Sequence, residues 1–376
     1  MPIPVLSEAD VVARLRESSL PGHDVNAFYS SHLGGIVTDH RMMLMHADDR
    51  GTQLGWSVFD TCNVEHGQIY ALDFHIDRFF HSMALGKIEP PLSKAEVHEI
   101  VSSTVAAGIA SAEVEPERAH GLVRFWASAG VGGTNNSAGP APSGPVPAEI
   151  YCKVSYLRKF KETAAYEAFS YRPTTAEGGS KALTVTVPLK PKLLATMKSM
   201  NYMLNQLAKI EVEEAGCSLG VWVEDGLVQE ETTGGLAFVG DDNVLVTPPM
   251  TRILSSRTIL RAMELARLLV ERGVIAGIRV APVPLAQARE STEMMTMSAS
   301  FLQAIVEWDG QPVGDGKPGP VAAALEELLW LDMQGLAQEQ LDGCGVPADP
   351  SVVANLEEAA APELAGAQHV SPIPRL

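Results

Sequence analysis

Several features are scarce or absent in this chain, and each absence excludes a class of protein. No apolar run approaches the roughly 18 residues of a membrane span, and the N-terminus lacks the basic-then-apolar pattern of a secretory signal. The four cysteines form no CxxC pair, so we expect free thiols in a reducing compartment. These absences predict a cytoplasmic protein and leave targeting to an organelle open.

Basic residues are also few, with 28 Lys and Arg against 46 Asp and Glu and a formal charge of −18. This balance argues against a nucleic-acid or membrane partner, because phosphate backbones and anionic lipids favour basic surfaces. The motifs GxxxxGK[ST] and HExxH are absent. A nucleotide P-loop and that zinc-binding motif are therefore excluded, and we predict no metal site.

The length of 376 residues is sufficient for two domains with separate cores. Hairpin signals mixed with helical patterns favour two α+β domains over a doubly wound parallel sheet. We predict, in chain order, an N-terminal extension, a small α/β domain, a connector, a large domain and a poorly ordered tail, at residues 1–29, 30–158, 159–166, 167–340 and 341–376. Residues 130–147, rich in Gly, Pro, Ser and Asn, predict a long loop that either covers a site or is a surface excursion.

One helix in the small domain is predicted with defined ends. In the segment DFHIDRFFHSMALG, Phe79, Phe80 and Met83 supply an apolar face. Asp73 is the predicted N-cap and Gly86 the predicted end.

The segment LLATMKSMNYMLNQLA contains a single charged residue, Lys198. Its side chain either extends to solvent while the stem packs, or lies in a pocket where desolvation lowers its pKa from about 10.4. In the second case the free amine is available for chemistry. The segment by itself leaves both interpretations open.

Three further features become notable once a ligand with a phosphate is considered. Residues 254–258, LSSRT, open a helix and offer amides, hydroxyls and Arg257 to an anion, although such a serine is often only a cap. Arg78, one turn into its helix, is a second anion ligand or a solvated side chain. Glu230 follows a predicted hairpin, where an acidic residue is normally a solvated strand end.

In their order and spacing these segments resemble fold type IV of the pyridoxal-phosphate enzymes, the class IV aminotransferase family. That family holds branched-chain aminotransferases, D-amino-acid transaminases and aminodeoxychorismate lyases. The resemblance covers most of residues 30–335 and rests on HADDRGTQLGWSVFDTCNV, YALDFHIDRFFHSM, TMKSMNYMLNQLAKIEVEEAG, EDGLVQEETTGGLAFV, TPPMTRILSSRTILRAMELA, ESTEMMTMSAS and VEWDGQPVGDGKPGPV. VFDTC and KSMNYM are most similar to the D-amino-acid transaminase branch. The resemblance implies a smaller N-terminal domain and a larger C-terminal pseudo-barrel domain.

The resemblance also implies pyridoxal 5'-phosphate as the cofactor and Lys198 as the catalytic Schiff-base lysine. The cofactor-binding residues that we predict are Arg78, Tyr202, Glu230, Ser256, Arg257, Thr258, Ser298 and Ala299. Three positions depart from the family pattern: Gly235 replaces a usual Asn, Ser256 a common Gly, and Ala299 a frequent hydroxyl.

We predict that the substrate lies against Phe59, Thr61 and Arg124. Arg124 is chosen because a guanidinium pairs well with a carboxylate, and the alternative is an ordinary strand arginine at the domain edge.

The activity implied is transamination between a small amino acid and a keto acid such as 2-oxoglutarate or pyruvate. D-Amino acids are favoured, and L-branched-chain amino acids are an alternative. An aminodeoxychorismate lyase would use the same lysine, and a degenerate homologue would only bind the cofactor or a partner. The resemblance implies a homodimer.

Overall fold

A six-stranded antiparallel sheet in the order β2-β1-β6-β5-β3-β4 organises the first half of the chain. Its strands are β1 Val25–Ser30, β2 Gly35–Val37, β3 Ser57–Glu65, β4 Gln68–Ile69, β5 Gly121–Ser128 and β6 Glu149–Ser155. The helices here are α1 Glu8–Glu17, α2 Arg50–Leu54, α3 Leu72–Leu85 and α4 Lys94–Ala112, with 3₁₀ helices at His40–Met42 and Pro116–Arg118. Helices α3 and α4 pack against the sheet face that carries Phe125 and Cys152.

The structure is a computed structural model that describes residues 3–18, 25–132, 146–155, 175, 178–298, 301–347 and 350–352. The chain divides into two compact units, the first comprising Met1–Ser170 with Lys198–Asn201 and the second Tyr171–Met197 with Tyr202–Leu376. Residues 133–145 of the predicted loop, the predicted connector and the predicted tail beyond residue 352 lie outside the described residues. None of the described helices is long and apolar enough to cross a membrane.

The ends of α3 show what its sequence does and does not determine. Gly86 is the C-cap, as predicted. The predicted N-cap at Asp73 is wrong, because the helix begins at Leu72, two residues earlier than that cap implies, after Ala71 in a left-handed conformation with φ 53°. Asp73 therefore lies in the first turn, where its charge interacts favourably with the helix dipole.

A ten-stranded mixed sheet organises the second unit, in the order β12-β11-β10-β14-β15-β7-β8-β9-β13 with β16 paired to β15. Its strands are β7 Ser180–Thr184, β8 Leu219–Glu224, β9 Leu227–Glu231, β10 Gly235–Val239, β11 Val244–Thr247, β12 Gly277–Val280, β13 Val283–Pro284, β14 Glu293–Ser298, β15 Phe301–Trp308 and β16 Gln311–Pro312. The helices are α5 Lys192–Ala195, α6 Met203–Glu214, α7 Arg257–Glu271, α8 Leu285–Arg289, α9 Pro320–Met333 and α10 Gln338–Asp342. The predicted fold class, mixed α and β, is confirmed.

A buried carboxylate explains the glycine in the segment GKPGPV. Glu293 of β14 accepts hydrogen bonds from the N–H groups of Val321 and Ala322, at 3.0 and 2.8 Å, at the start of α9. A Cβ atom on Gly319 would lie 2.1 Å from the Glu293 Cδ. Only glycine leaves room for the carboxylate that caps this helix.

Candidate active site

Lys198 and its neighbours are held against the edge of β3 by three hydrogen bonds. The Phe59 N–H donates to the Lys198 carbonyl at 2.9 Å, and the Met200 N–H donates to the Ser57 carbonyl at 3.0 Å. The Lys198 N–H donates to the hydroxyl of Ser82, a fully buried residue of α3, at 3.2 Å. These bonds tie the lysine to the first unit, to which the chain returns for four residues.

The Lys198 amine and the Arg124 guanidinium lie over the same aromatic ring. Lys198 Nζ is 4.9 Å from the centre of the Phe59 ring, and Arg124 Cζ is 4.7 Å from it. Arg124 Nε also donates a hydrogen bond to Thr61 Oγ1 at 3.1 Å. The structure thus brings the predicted lysine together with all three predicted substrate-binding residues.

Strand register accounts for this grouping. Thr61 of β3 lies directly opposite Arg124 of β5. Side chains alternate along a strand, so Phe59 and Thr61 project from one face of the sheet and Asp60 from the other. We call the first the cation face, defined by Phe59, Thr61 and Arg124, and the second the helix face, defined by Asp60 and the packed helices.

On the helix face, Asp60 binds two side chains of α3. Arg78 donates to both carboxylate oxygens, from Nε at 2.8 Å and from Nη2 at 2.7 Å, and His75 Nδ1 lies 2.9 Å from Oδ1. Burial by itself would raise the pKa of Asp60, but the charge of Arg78 and the hydrogen bonds of Arg78 and His75 hold that pKa well below its usual range. Asp60 is therefore ionised, and its bidentate pairing fixes the orientation of the Arg78 guanidinium.

His75 is a member of this network that the sequence interpretation missed. Burial lowers the pKa of His75, Asp60 opposes that effect, and the charges of Arg78 and Lys198 lower the pKa further. The imidazole is therefore neutral at pH 7 and adds no positive charge. A signal existed in the sequence, since His75 and Arg78 are three residues apart and share a helix surface.

In the second unit, three predicted cofactor ligands follow one another at the start of α7. Ser256 is the N-cap, and its hydroxyl accepts a hydrogen bond from the Ile259 N–H at 3.4 Å. Arg257 and Thr258 are the first two helical residues. Exposed N–H groups and the positive end of the helix dipole make this turn suitable for an anion.

Gly235, one of the departures from the family pattern, lies against the same turn. A Cβ atom there would be 2.5 Å from Ile259 Cγ1 and 3.4 Å from Ser256 Cβ. A side chain on the first residue of β10 would meet the Ile259 side chain, so the asparagine usual in the family would require Ile259 to move. Here the glycine lets β10 pack closely against this turn.

Two adjacent glutamates end β9, where the pairing with β8 is irregular. Glu231 is bound within the following turn, accepting hydrogen bonds from the Thr233 N–H at 2.8 Å, the Thr233 hydroxyl at 2.9 Å and the Thr232 hydroxyl. Glu231 therefore stabilises the turn. The predicted ligand Glu230 is buried.

The remaining predicted ligands are more scattered. Tyr202 is the N-cap of α6, and Lys190 Nζ lies 5.2 Å from the centre of its ring. Lys190 is buried, and the sequence interpretation gave it no role. Ser298 is the last residue of β14, and Ala299 lies outside the described residues.

Comparisons with known proteins identify the family and the fold of the chain. A family model described as amino-transferase class IV matches residues 57–308. The chain is 32% identical over 335 residues to "D-amino-acid transaminase, chloroplastic" of Arabidopsis thaliana, covering 88% of this chain and 83% of that protein. It is 24% identical to a D-alanine aminotransferase of Bacillus licheniformis, over 78% of this chain and 94% of that protein.

Among solved structures, the branched-chain amino acid aminotransferase from Thermobaculum terrenum, in its PLP-bound holo-form, is similar, with a TM-score of 0.68 at 17% identity. The match covers 85% of this chain and 97% of that one. A second branched-chain amino acid aminotransferase, complexed with N-(5'-phosphopyridoxyl)-L-glutamate, gives a TM-score of 0.69 at 20% identity, over 86% of this chain and 98% of that one. The fold is therefore fold type IV of the pyridoxal-phosphate enzymes.

The family match then identifies the protein more closely: the chain belongs to the class IV aminotransferases. These enzymes use pyridoxal 5'-phosphate, so the predicted family, reaction and cofactor are confirmed.

Proposed function

We propose that this aminotransferase favours small D-amino acids as amino donors, with pyruvate or 2-oxoglutarate as acceptors. The names of the Arabidopsis and Bacillus relatives support D-amino acids. L-Branched-chain amino acids are the second candidate, since a putative branched-chain-amino-acid aminotransferase of Methanocaldococcus jannaschii is 26% identical. The preference for D-amino acids rests on the names of the relatives. The observation that carries the aminotransferase chemistry is that Lys198 and Arg124 both lie over the Phe59 ring.

The described residues fit pyridoxal 5'-phosphate by their chemistry. Arg78 and the first turn of α7, residues 256–258, are donors suited to its phosphate. The Lys198 amine would hold its aldehyde carbon, and the buried carboxylate of Glu230 would pair with its protonated ring nitrogen. Gly235 supports this assignment, because it keeps side-chain atoms away from the helix start that would receive the phosphate.

When bound, the cofactor supplies an aldehyde that takes the amino group and a ring that withdraws electrons from the substrate Cα. Lys198 would then move a proton at Cα, for which its amine must be uncharged. Arg124 would bind the substrate carboxylate, with Thr61 and Phe59 fixing its guanidinium, while Tyr202 and Ser298 would contact the cofactor.

The lyase alternative is not favoured, because the relatives reported above carry transaminase names. The two reactions differ in their need for a keto acid. Pyruvate released without an acceptor would point to the lyase, and keto acid formed only with an acceptor would point to transamination.

We propose a homodimer, as the resemblance implied. Met203, Leu207 and Ile210 form an exposed apolar stripe on α6, with 71%, 44% and 50% of their surface exposed. Light scattering should give a dimer mass for the wild type and a lower mass for Leu207→Asp. The cytoplasmic location stays a prediction.

The decisive experiment is a panel of D- and L-amino acids against pyruvate and 2-oxoglutarate, using the holoenzyme. We expect faster turnover with D-donors and a loss of about 10⁴-fold or more in Lys198→Ala. Lys192→Ala, an exposed lysine of α5, is the matched control and should keep wild-type turnover.

A chemical readout tests the same assignment without turnover. Borohydride reduction of the holoenzyme followed by peptide mapping should find the cofactor label on Lys198. A label on Lys190 or Lys192, or full turnover in Lys198→Ala, would overturn the assignment.

A further inference from the structure

A second cation lies beside Arg124 on the cation face. Lys153 of β6 is directly opposite Arg124 of β5, on the side away from Thr61. Strand alternation and this register put the three side chains in one row across the sheet, Thr61, Arg124 and Lys153. The row adjoins the row of Phe59, over whose ring Lys198 lies.

Like charges directly opposite each other on neighbouring strands destabilise a sheet, so such a pair needs an explanation. Among the described residues, no carboxylate lies within ion-pair distance of Arg124 or Lys153. Glu149 projects from the same face of β6 but is four residues away, about 13 Å along the strand. It is already engaged by the Ser31 hydroxyl and by His32 Nδ1.

The environment of Lys153 makes its positive charge less favourable than in water. Burial lowers the pKa of Lys153, and the charge of Arg124 lowers it further. An anion bound to both groups would reverse the second effect. Arg124 by contrast is exposed, and its hydrogen bond to Thr61 fixes where a carboxylate would meet it.

We propose that Lys153 is a specificity residue that binds the distal carboxylate of a dicarboxylic amino acid or keto acid. The proposal rests on the proposed function, in which Arg124 binds the carboxylate next to the reacting carbon. Neighbouring strands are about 4.8 Å apart, a spacing that suits the two carboxylates of a five-carbon diacid. A substrate with one carboxylate would use Arg124 only, so Lys153 distinguishes glutamate-like from alanine-like substrates.

The first test compares D-glutamate with D-alanine, and 2-oxoglutarate with pyruvate, in the holoenzyme. We expect Lys153→Met to lower the ratio of kcat/KM for the diacid over the monoacid by about 10- to 100-fold, through a higher KM for the diacid. Lys153→Arg keeps the charge and should keep most of the ratio. Lys181→Met removes a surface lysine of the second unit that pairs with Glu307, and it should not change the ratio.

The second test measures binding without turnover. Calorimetry with glutarate and butyrate should show that the wild-type holoenzyme prefers glutarate, and that Lys153→Met loses this preference. Because removal of Lys153 relieves repulsion of Arg124, we expect the variant to fold.

The outcomes separate the two proposals. A ratio unchanged in Lys153→Met, an equal loss for both substrates, or no glutarate preference in the wild type would overturn the role of Lys153. A wild type that turns over no amino acid but prefers glutarate through Lys153 would refute the proposed function and leave the role of Lys153 standing.

Discussion

Consecutive residues of β3 serve opposite faces of one sheet, and the two faces differ in how their charges are balanced. On the helix face, the Asp60 carboxylate is fully buried and neutralises Arg78 at hydrogen-bond distance, with a neutral His75 beside it. On the cation face, Arg124 has a hydroxyl and an aromatic ring as its neighbours. The first arrangement already has its counter-ion within the protein, whereas the second gains from an added anion.

The comparison shows how a single strand can combine structural and ligand-binding roles. Buried charges require partners because desolvation is costly, so the helix face is closed by groups of the protein itself. Exposed cations have a smaller desolvation penalty, so they do not need a counter-ion from the protein before a substrate binds. We therefore expect substitutions on the helix face to change stability most, and those on the cation face to change kinetics.

The largest effect on stability is expected for Asp60→Asn. The neutral amide leaves Arg78 buried without its counter-ion, which should lower the free energy of unfolding by about 3–5 kcal/mol. Urea denaturation at pH 7 measures this loss. Asp77→Asn on the same helix, whose exposed carboxylate pairs with Lys94 at 2.6 Å, is the matched control and should change stability little.

The pH dependence of this loss follows from the depressed pKa of Asp60. A carboxyl whose pKa is lower in the folded than in the unfolded protein stabilises the fold at pH values above its pKa in the unfolded protein, about 3.9. That contribution is lost as the pH falls through the pKa of the folded protein. The difference between wild type and Asp60→Asn should therefore be constant above about pH 5 and shrink in stronger acid. A difference that grew in acid would contradict the ionised state of Asp60.

On the cation face, Arg124→Gln should leave the urea midpoint almost unchanged and lower kcat/KM for amino acids by about 10- to 100-fold. The reason is the loss of one charge-assisted hydrogen bond to the substrate carboxylate. A primary amine without a carboxylate is the control substrate, for which the variant should lose nothing. If stability fell as far as in Asp60→Asn, the contrast between the two faces would be wrong.

Much of this site could be predicted from the sequence, and the missing parts have a common cause. Lys198 was predicted because it is the single charged residue of its segment. Arg78 was predicted because it lies near a helix start in a segment that resembles the family. The partner of Arg78 was missed because Asp60 is 18 residues away and reaches it through the packing of α3 on β3. Lys153 was missed because the sequence does not show which residue of β6 lies opposite Arg124 of β5.

The start of α3 was misplaced by two residues for a related reason. Asp73 is of a residue type that often caps helices, but Ala71 adopts the left-handed conformation after which the helix begins. Gly235 was recognised as a departure from the family pattern, but its close approach to Ile259 could be recognised only in the structure. In each case the sequence showed the type of the residue but not which residues lie close to it in the fold.

The smallest effect is expected at the edge of β3, where the two faces meet. Ser82 projects from α3 on the helix face, and its hydroxyl accepts the N–H of Lys198, whose side chain lies over the cation face. Ser82→Ala removes that acceptor and should cost about 1 kcal/mol of stability. It should also slow turnover several-fold with little change in KM, because the lysine main chain loses one of its anchors.

The matched control is Ser103→Ala, which removes a serine hydroxyl that bonds to Glu99 on the surface of α4. Single-turnover rates measured for both variants at saturating donor separate positioning from binding. A loss of stability in Ser82→Ala without any slowing would mean that the remaining bonds to Phe59 and Ser57 position Lys198 by themselves. Slower turnover in Ser82→Ala but not in Ser103→Ala would mean that a residue of the helix face helps to position the Lys198 amine over the cation face.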